Sequence, residues 1–204
     1  MLAVLLAFLL ICNSTFAACP TGYTETAVTG ESNICLKFVY QATTTSQSAF
    51  NTLCSTSYNG GYLVVQSTVN QRTATANFAK TGCASTTSCS SGSGDRNIWI
   101  GVQCSGASTI ATQVIYSPST GLGWATNTAV TSLFTPASTT YWADANEPGA
   151  GETVVRLIIT GTGTSSTGYS ISGWRGITSA TNYNYGIWYD IFTCYEYHFF
   201  ITNY

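Results

Sequence analysis

Cysteine usage, together with the apolar start of the chain, constrains this sequence most. Residues 1–12, MLAVLLAFLLIC, are an apolar run too short to span a bilayer but typical of a secretory signal peptide. We predict a signal peptide over 1–17, cleaved after Ala17, and one mature domain over 18–204. Cleavage removes one of the eight cysteines, Cys12, and leaves seven. Seven cysteines in an exported chain imply disulfides and one odd thiol.

Charge is scarce in this chain. Only 7% of its residues are charged, and its six basic residues are scattered singly. This spacing argues against nucleic acid or an anionic membrane surface as a partner, and it suits neutral ligands better. No later stretch is long and apolar enough to insert into a membrane, so we expect a soluble, secreted, extracellular protein.

Hydrophobic spacing predicts helices early in the mature chain and strands late. Residues 19–40 are typical of a hairpin whose arms Cys19 and Cys35 are placed to tie. Helical spacing follows over 46–61, where Ser46 can cap the start, and over 67–80, where Thr68 and Gln71 form a possible capping box.

Later segments alternate between strand patterns and turn residues. A low-complexity loop is predicted over 81–95, closed by a local Cys83–Cys89 bridge, and an irregular loop region from Ser105 to Tyr141. Strands are predicted around YLVVQ, NIWIGVQC, TVVRLIIT, SISGWRGI, YGIWYDIF and EYHFFIT. Two early helices and later strands without a dividing linker indicate one α+β domain.

Residues 141–152, YWADANEPGAGE, gather acidic side chains in one loop. The chain has eight acidic residues, and Asp144, Glu147 and Glu152 are three of them within nine positions. A bound hard cation is one explanation for this cluster, because calcium prefers carboxylate oxygens. A solvated polar turn is the other.

Five motifs in order resemble a C-type lectin-like domain over essentially the whole mature chain. CPTGY with Cys35 is similar to that family's N-terminal hairpin, and AFNTLCSTSYNGGYLVVQSTVNQ to its first helix, Gly-Gly-x-Leu-Val strand and second helix. IWIG at 98–101 is similar to its Trp-Ile-Gly strand. YWADANEPGAGE resembles its calcium loop, and WYDIFTC at 188–194 its Trp-Asn-Asp-x-x-Cys segment.

The resemblance implies an α+β fold of two helices and two small antiparallel sheets, with long loops that carry a binding site. In calcium-dependent members one Ca²⁺ is held by side chains of the calcium loop and of the Trp-Asn-Asp segment, and binds two sugar hydroxyls. Carried over, the metal ligands here are Glu147, Glu152 and Asp190. Asn146, a further ligand-binding candidate, Asp144 and Asn184 are the alternatives for an additional oxygen. Gly149 and Tyr189 replace two of the family's asparagines, so we expect weak or absent calcium dependence.

The cysteines also depart from the family's pattern. The resemblance implies partners for Cys54 and Cys194 near Thr202 and Thr153, and neither position is a cysteine. A bridge between Cys104 and Cys194 near the loop end of the fold, with Cys54 left as the free thiol, is the arrangement we expect.

Tryptophans offer a second kind of sugar contact. Trp99, Trp142 and Trp188 stand at core-type positions of the family and are expected to pack. Trp124 and Trp174 lie in loop-like sequence surroundings, and each is either a surface that stacks on a sugar ring or a buried packing residue.

Catalysis is not expected. Cys194 and His198 are the closest thiol and imidazole in sequence, but strand residues four apart lie about 13 Å from each other, too far for proton transfer. We therefore predict a secreted carbohydrate-recognition protein that binds glycans or glycoproteins. The alternatives are a non-catalytic adhesion or protein-interaction domain on the same fold, and a surface-active role for the threonine-rich loops.

Overall fold

The computed structural model of the protein describes residues 19–57, 62–64, 66, 68–104, 114–116, 142–143, 147 and 149–190. The helices in this part of the chain are α1 (Gln47–Ser57), α2 (Val69–Ser85) and α3 (Thr87–Ser90). The first four strands are β1 (Thr24–Thr26), β2 (Ile34–Thr45), β3 (Tyr62–Leu63) and β4 (Asp95–Cys104). The later strands are β5 (Val114–Tyr116), β6 (Val154–Gly161), β7 (Tyr169–Ile177) and β8 (Tyr183–Asp190).

The strands join in one eight-stranded sheet of order β1-β2-β8-β4-β6-β7, with β3 paired to β8 and β5 to β4. Among the described strands, the only parallel pairing is the short one of β4 with β8, at Ile98↔Tyr185 and Trp99↔Gly186. This pairing joins two antiparallel groups of strands, β1, β2, β8 and β3 on one side and β4, β5, β6 and β7 on the other. The predicted α+β class is confirmed. The two small antiparallel sheets expected from the resemblance correspond to these two groups, which form one continuous sheet.

Both faces of the central strand β4 are buried, because helices cover them. Ile98, Ile100 and Val102 belong to the larger core cluster, which includes four alanines of α2. Trp99 points to the opposite face and joins the smaller cluster with Phe50 of α1. This alternation explains why the run IWIGV is apolar without a break.

The helix starts are built as the sequence predicts. The Ser46 hydroxyl accepts a hydrogen bond from the backbone N–H of Ala49, and the Thr68 hydroxyl accepts one from Gln71. The second half of the predicted capping box differs, because the Gln71 side-chain amide donates to Glu31, which lies in the loop between β1 and β2. Glu31 also accepts from the Thr68 hydroxyl, so it fastens this loop to the start of α2.

The loop predicted over 81–95 is wrong over 81–90, where α2 continues to Ser85 and α3 follows. Hydroxyl side chains in this segment bond back to carbonyls four residues earlier, as Ser85 does to Thr81 and Thr86 to Gly82. Turn-forming residues thereby become compatible with helix. In the region predicted as irregular from residue 105 to 141, β5 pairs with β4, and the other positions lie outside the described residues.

Two predicted disulfides are confirmed. Cys19 bonds to Cys35 across the N-terminal hairpin, and Cys83 bonds to Cys89 between α2 and α3. The Cys104 side chain and Cys194 lie outside the described part of the structure, so their bridge stays a prediction, as does the free thiol at Cys54.

Gly82 allows α2 to lie directly on β2. A Cβ atom at this position would overlap the Phe38 side chain. Helix propensity alone predicts that Gly82→Ala stabilises the protein by about 1 kcal/mol. We predict the opposite sign, a loss of about 1–3 kcal/mol in the free energy of unfolding, because the added methyl overpacks the contact.

Urea denaturation of Gly82→Ala tests this contact, with Asn77→Ala on the exposed side of the same helix as the control. The control is expected to leave the free energy of unfolding unchanged or slightly raised. A Gly82→Ala protein as stable as the control protein would contradict the close packing of α2 on Phe38.

Candidate functional site

The acidic loop approaches the sheet along β7, which is the last strand of the sheet order. Trp142 forms an isolated parallel bridge with Trp174, and the Ala143 N–H donates to the Trp174 carbonyl at 2.9 Å. Further along, the Gly176 N–H donates to Glu147 Oε2 at 2.8 Å. The loop thus uses backbone groups that an edge strand leaves without a strand partner.

Gly173 makes this approach possible. Its φ is +124°, in the region that glycine adopts readily, and a Cβ atom there would lie 2.9 Å from both the N and Cα atoms of Ala143. The register between β6 and β7 shifts at the same place, between Ile158 and Ile159. A bulge with a glycine therefore opens the edge of β7 to the incoming loop.

Glu147 is held by β7 through both carboxylate oxygens. Its Oε1 lies 3.3 Å from Nε of Arg175, and its Oε2 accepts the Gly176 N–H. The Arg175 side chain is 38% exposed and that of Glu147 only 11%. The carboxylate is therefore largely enclosed, and the arginine side chain is the more exposed member of the pair.

Glu152 closes the turn that leads from the loop into β6. Its carboxylate accepts a hydrogen bond from the Gly149 N–H, and its own N–H donates to the Gly149 carbonyl at 3.2 Å. A Cβ atom at Gly149 would lie 3.3 Å from Cδ of Glu152, so the missing side chain leaves room for this folded-back carboxylate.

Arg156 is the second arginine of the site. It is the register partner of Arg175 across β6 and β7, and its guanidinium lies 5.2 Å from the ring centroid of Tyr183. Burial lowers the pKa of Arg156 below its ordinary value, and the neighbouring Arg175 lowers it further, while Glu147 and Glu152 raise it. The two carboxylates therefore act on Arg156 electrostatically.

Trp174 is a packing residue in this structure. Only 5% of it is exposed, and its indole N–H donates to the buried Gln66 side chain at 3.1 Å. The Arg72 guanidinium lies 5.0 Å from its ring centroid. Trp174 is therefore a buried packing residue, and its ring is too enclosed to stack on a sugar. Trp99 and Trp142 are buried as predicted.

Asp190 lies on a different strand from the residues that meet Glu147. The tryptophan-led segment beside the loop is Trp174-Arg175-Gly176 on β7, whereas Asp190 ends β8. Since β4 and β6 stand between these strands, their axes are about 14 Å apart. The Asp190 side chain, Asn146, Asp144 and Trp124 lie outside the described residues, so their predicted roles stay predictions.

The described carboxylates do not fit a calcium ion. Calcium takes six to eight oxygen ligands, and the two oxygens of Glu147 face an arginine and a backbone N–H. Within the described residues no three His, Cys, Asp or Glu side chains are grouped so that they could hold a metal ion. In the same part of the chain, no helix has the length and apolar character needed to cross a membrane.

Sequence reasoning selected Glu147 and Glu152 but missed Arg156 and Arg175. One signal was available: each arginine stands in a segment predicted as a strand, TVVRLIIT and SISGWRGI. An arginine inside an apolar strand needs an acidic partner or a polar neighbour, and the acid-rich loop just before β6 is the nearest source of one.

No family model matches the sequence, and no curated protein matches it. Among solved structures, the chain is similar to the C-type lectin CEL-I from Cucumaria echinata, at 16% identity and a TM-score of 0.43, over 85% of this chain and 99% of that one. It is also similar to the C-type carbohydrate-recognition domain of cow CD23, at 14% identity and a TM-score of 0.47, over 87% and 98% of the two chains.

A third similar structure is ovocleidin-17, a major protein of the Gallus gallus eggshell calcified layer, at 15% identity and a TM-score of 0.46. The match covers 84% of this chain and 98% of that one. All three likenesses are at low sequence identity and at TM-scores below 0.5.

Gly173→Ala is expected to detach the acidic loop from β7. We predict a loss of about 1–3 kcal/mol in the free energy of unfolding, since the new methyl meets the Ala143 backbone at a positive φ. The measurement is urea denaturation. Gly163→Ala is the matched control, because Gly163 also has a positive φ, +100°, but nothing lies within 4 Å of its Cβ position.

The control isolates the contact from the backbone strain, since both variants place alanine at a positive φ. The loss for Gly173→Ala should exceed the loss for Gly163→Ala. Equal losses would mean that the loop does not press on β7 at this glycine.

Proposed function

We propose that the protein is a secreted, non-catalytic, C-type lectin-like binding protein that recognises carbohydrate without a calcium ion at Glu147 and Glu152. The observation that carries the calcium-independent part is the engagement of both Glu147 oxygens, by Arg175 and by the Gly176 N–H. The sugar-binding part is supported by the order of the sequence motifs and by a chain that is rich in hydroxyls and poor in charge.

A cation would have to displace Arg175 to reach Glu147. The guanidinium carries a permanent positive charge, and separating it from a largely enclosed carboxylate leaves two charges without their partners. An incoming ion would also meet the positive charge of Arg156, the register partner of Arg175. The protein therefore supplies its own cation where the resemblance implies a metal ion.

The resemblance assigned the Trp-Asn-Asp segment to 188–194, with Asp190 as its metal ligand, but the segment that lies beside the loop is Trp174-Arg175-Gly176 on β7. A Trp-Asn-Asp segment beside this loop would contribute an amide and a carboxylate after its tryptophan. Here Trp174 is followed by Arg175 and Gly176, which contribute a guanidinium and a backbone N–H. Hydrogen-bond donors therefore stand where the resemblance implies acceptor groups, and donors bind the oxygen atoms of a ligand better than they bind a metal ion.

Secretion is supported by the two disulfides, because such bonds persist in oxidising compartments. The non-catalytic assignment is supported by the site carboxylates, since Glu147 and Glu152 are committed to contacts that hold the loop.

Glycan binding in the presence of a chelator tests the proposal. The protein, labelled and applied to an array of neutral, sialylated and sulfated oligosaccharides, is expected to bind a subset of the neutral ones. Binding should be equally strong with calcium and with EDTA. Loss of all glycan binding in EDTA would contradict calcium independence, and no glycan binding in either buffer would favour the protein-interaction alternative.

Isothermal titration with calcium chloride tests the metal part separately. No saturable heat is expected at millimolar calcium, because Arg175 already neutralises Glu147. The contrary result is a saturable binding heat that the Glu147→Gln substitution removes. A heat that survives this substitution would place calcium elsewhere and leave the account of Glu147 intact.

A further inference from the structure

Tyr40 on β2 is an aromatic residue that the fold leaves exposed. Its exposed fraction is 42%, and the only other exposed large apolar side chains in the described part of the chain are Val69 and Ile171. The hydroxyls of Tyr169 and Tyr185 donate to backbone carbonyls, but that of Tyr40 has no hydrogen-bond partner among the described residues. Both the ring and the hydroxyl of Tyr40 are therefore available to a ligand.

Strand β2 is an edge of the sheet along most of its length. β1 pairs with it only at residues 34–36, and among the described strands none lies on that side of β2 from Lys37 onward. On the other side, Tyr40 is the direct register partner of Tyr185 on β8. One side of the Tyr40 ring therefore meets Tyr185, and the other side has no cross-strand neighbour in the described part of the sheet.

Two neighbouring rings support Tyr40. The ring centroid of Tyr185 lies 5.5 Å from that of Tyr40 and 5.9 Å from that of Phe38. Phe38 packs against α2 at Gly82, and the Tyr185 hydroxyl donates to the Ser88 carbonyl of α3 at 3.1 Å. The three rings, called here the aromatic platform, are therefore ordered before a ligand arrives, which lowers the entropic cost of binding.

An irregular segment of β2 adjoins the aromatic platform. The register between β2 and β8 shifts between Tyr40 and Thr45, and residues 42–44, Ala-Thr-Thr, are exposed within this irregularity. The Asn184 side-chain amide donates to the Gln41 carbonyl at 2.8 Å and so fastens the segment to β8. Threonine hydroxyls and backbone groups are thus available for hydrogen bonds next to the ring.

The surroundings of the aromatic platform are uncharged. Of the two charged residues on β2 and β8, Lys37 lies over the ring of Tyr23 in the smaller core cluster, on the opposite face, and Asp190 is at the far end of β8. Helix α3 carries no charged residue. An ionic ligand would find no partner of opposite charge here, whereas a neutral ligand needs none.

The size of the exposed surface favours a sugar over a protein partner. A stable protein interface covers about 800 Å² on each side. The other two exposed apolar residues do not extend the platform, because Ile171 is four strands away on β7, at about 19 Å, and Val69 lies about 20 Å from Gly82 along α2. One exposed ring bordered by polar groups matches the area of a single sugar ring.

We propose that Tyr40 stacks on a neutral, β-linked pyranose sugar whose ring substituents are all equatorial, as in glucose and N-acetylglucosamine. Such a sugar presents only C–H groups on the faces of its ring, so one face can lie flat on an aromatic side chain. Its hydroxyls, at the ring margin, then meet the polar groups of residues 42–44. The inference goes beyond the proposed function, because it assigns a sugar-binding surface on a different edge of the sheet from the acidic loop.

Substitution of Tyr40 tests the inference on the full mature chain in EDTA. The probes are cellotetraose and N-acetylchitotetraose, and titration calorimetry gives the dissociation constant. We expect at least one of them to bind. Tyr40→Ala should weaken this binding by at least about tenfold, because the stacking contact and the apolar area buried under it are both lost.

Two control variants isolate the ring. Tyr40→Phe keeps the stacking surface and should change the dissociation constant by less than about threefold. Ile171→Ala removes an exposed apolar side chain from the opposite edge of the sheet and should change it by less than about twofold. Near-ultraviolet circular dichroism reports whether each variant keeps its tertiary packing.

Nitration of tyrosine rings locates the sugar without any variant. The wild-type protein is treated with tetranitromethane, with and without a saturating amount of the tetrasaccharide, and peptide mass spectrometry measures nitration at each tyrosine. The sugar should lower nitration of Tyr40 several-fold. Nitration of Tyr183, which lies next to Arg156 on the side of the acidic loop, should not change.

The outcomes separate this inference from the proposed function. The inference is overturned if neither tetrasaccharide binds, if a folded Tyr40→Ala protein binds within about twofold of wild type, or if the sugar protects Tyr183 in place of Tyr40. Carbohydrate recognition is decided independently by the glycan array, so neutral glycans that bind there without involving Tyr40 would leave the proposed function standing.

Discussion

Docking of the acidic loop on the edge of β7 is the interaction on which the site depends. Gly173 leaves space for the Ala143 backbone, and the tryptophan bridge and the Glu147–Arg175 ion pair then fix the loop at two points. Without the bulge at Gly173 the loop could not reach the strand, and Glu147 would meet solvent in place of an arginine. The backbone conformation at Gly173 therefore determines whether the Glu147 carboxylate contacts Arg175 or solvent.

The ion pair changes the kind of ligand that this rim of the fold suits. A metal site gathers acceptors around one point, and its ligand binds through the ion. Here Glu147 is paired with Arg175 and with the Gly176 N–H, so hydrogen-bond donors stand where a metal ion would need acceptors. The Glu152 carboxylate accepts a hydrogen bond from the Gly149 N–H within its own turn, so it does not share an ion with Glu147.

Much of the fold could be predicted from the sequence, because its elements have local signals. Ser46 and Thr68 mark helix starts, and short runs of β-branched and aromatic residues mark the strands. The extension of α2 to Ser85 could not be predicted, since it depends on hydroxyls that bond back to the helix and on packing at Gly82. In the site, the two glutamates could be predicted from the sequence. Their pairing with Arg175 could not, because it depends on which strand the loop contacts. The segments that begin at Trp174 and at Trp188 have similar patterns, so the sequence does not decide between them.

A crystal structure of the mature protein grown in millimolar calcium would test the central claim most directly. The claim is that Arg175 occupies the position of a cation at Glu147. It predicts that Nε of Arg175 stays within ion-pair distance of Glu147 Oε1, with the Gly176 N–H on the other oxygen. A calcium ion coordinated by Glu147, with the Arg175 side chain turned away, would contradict it.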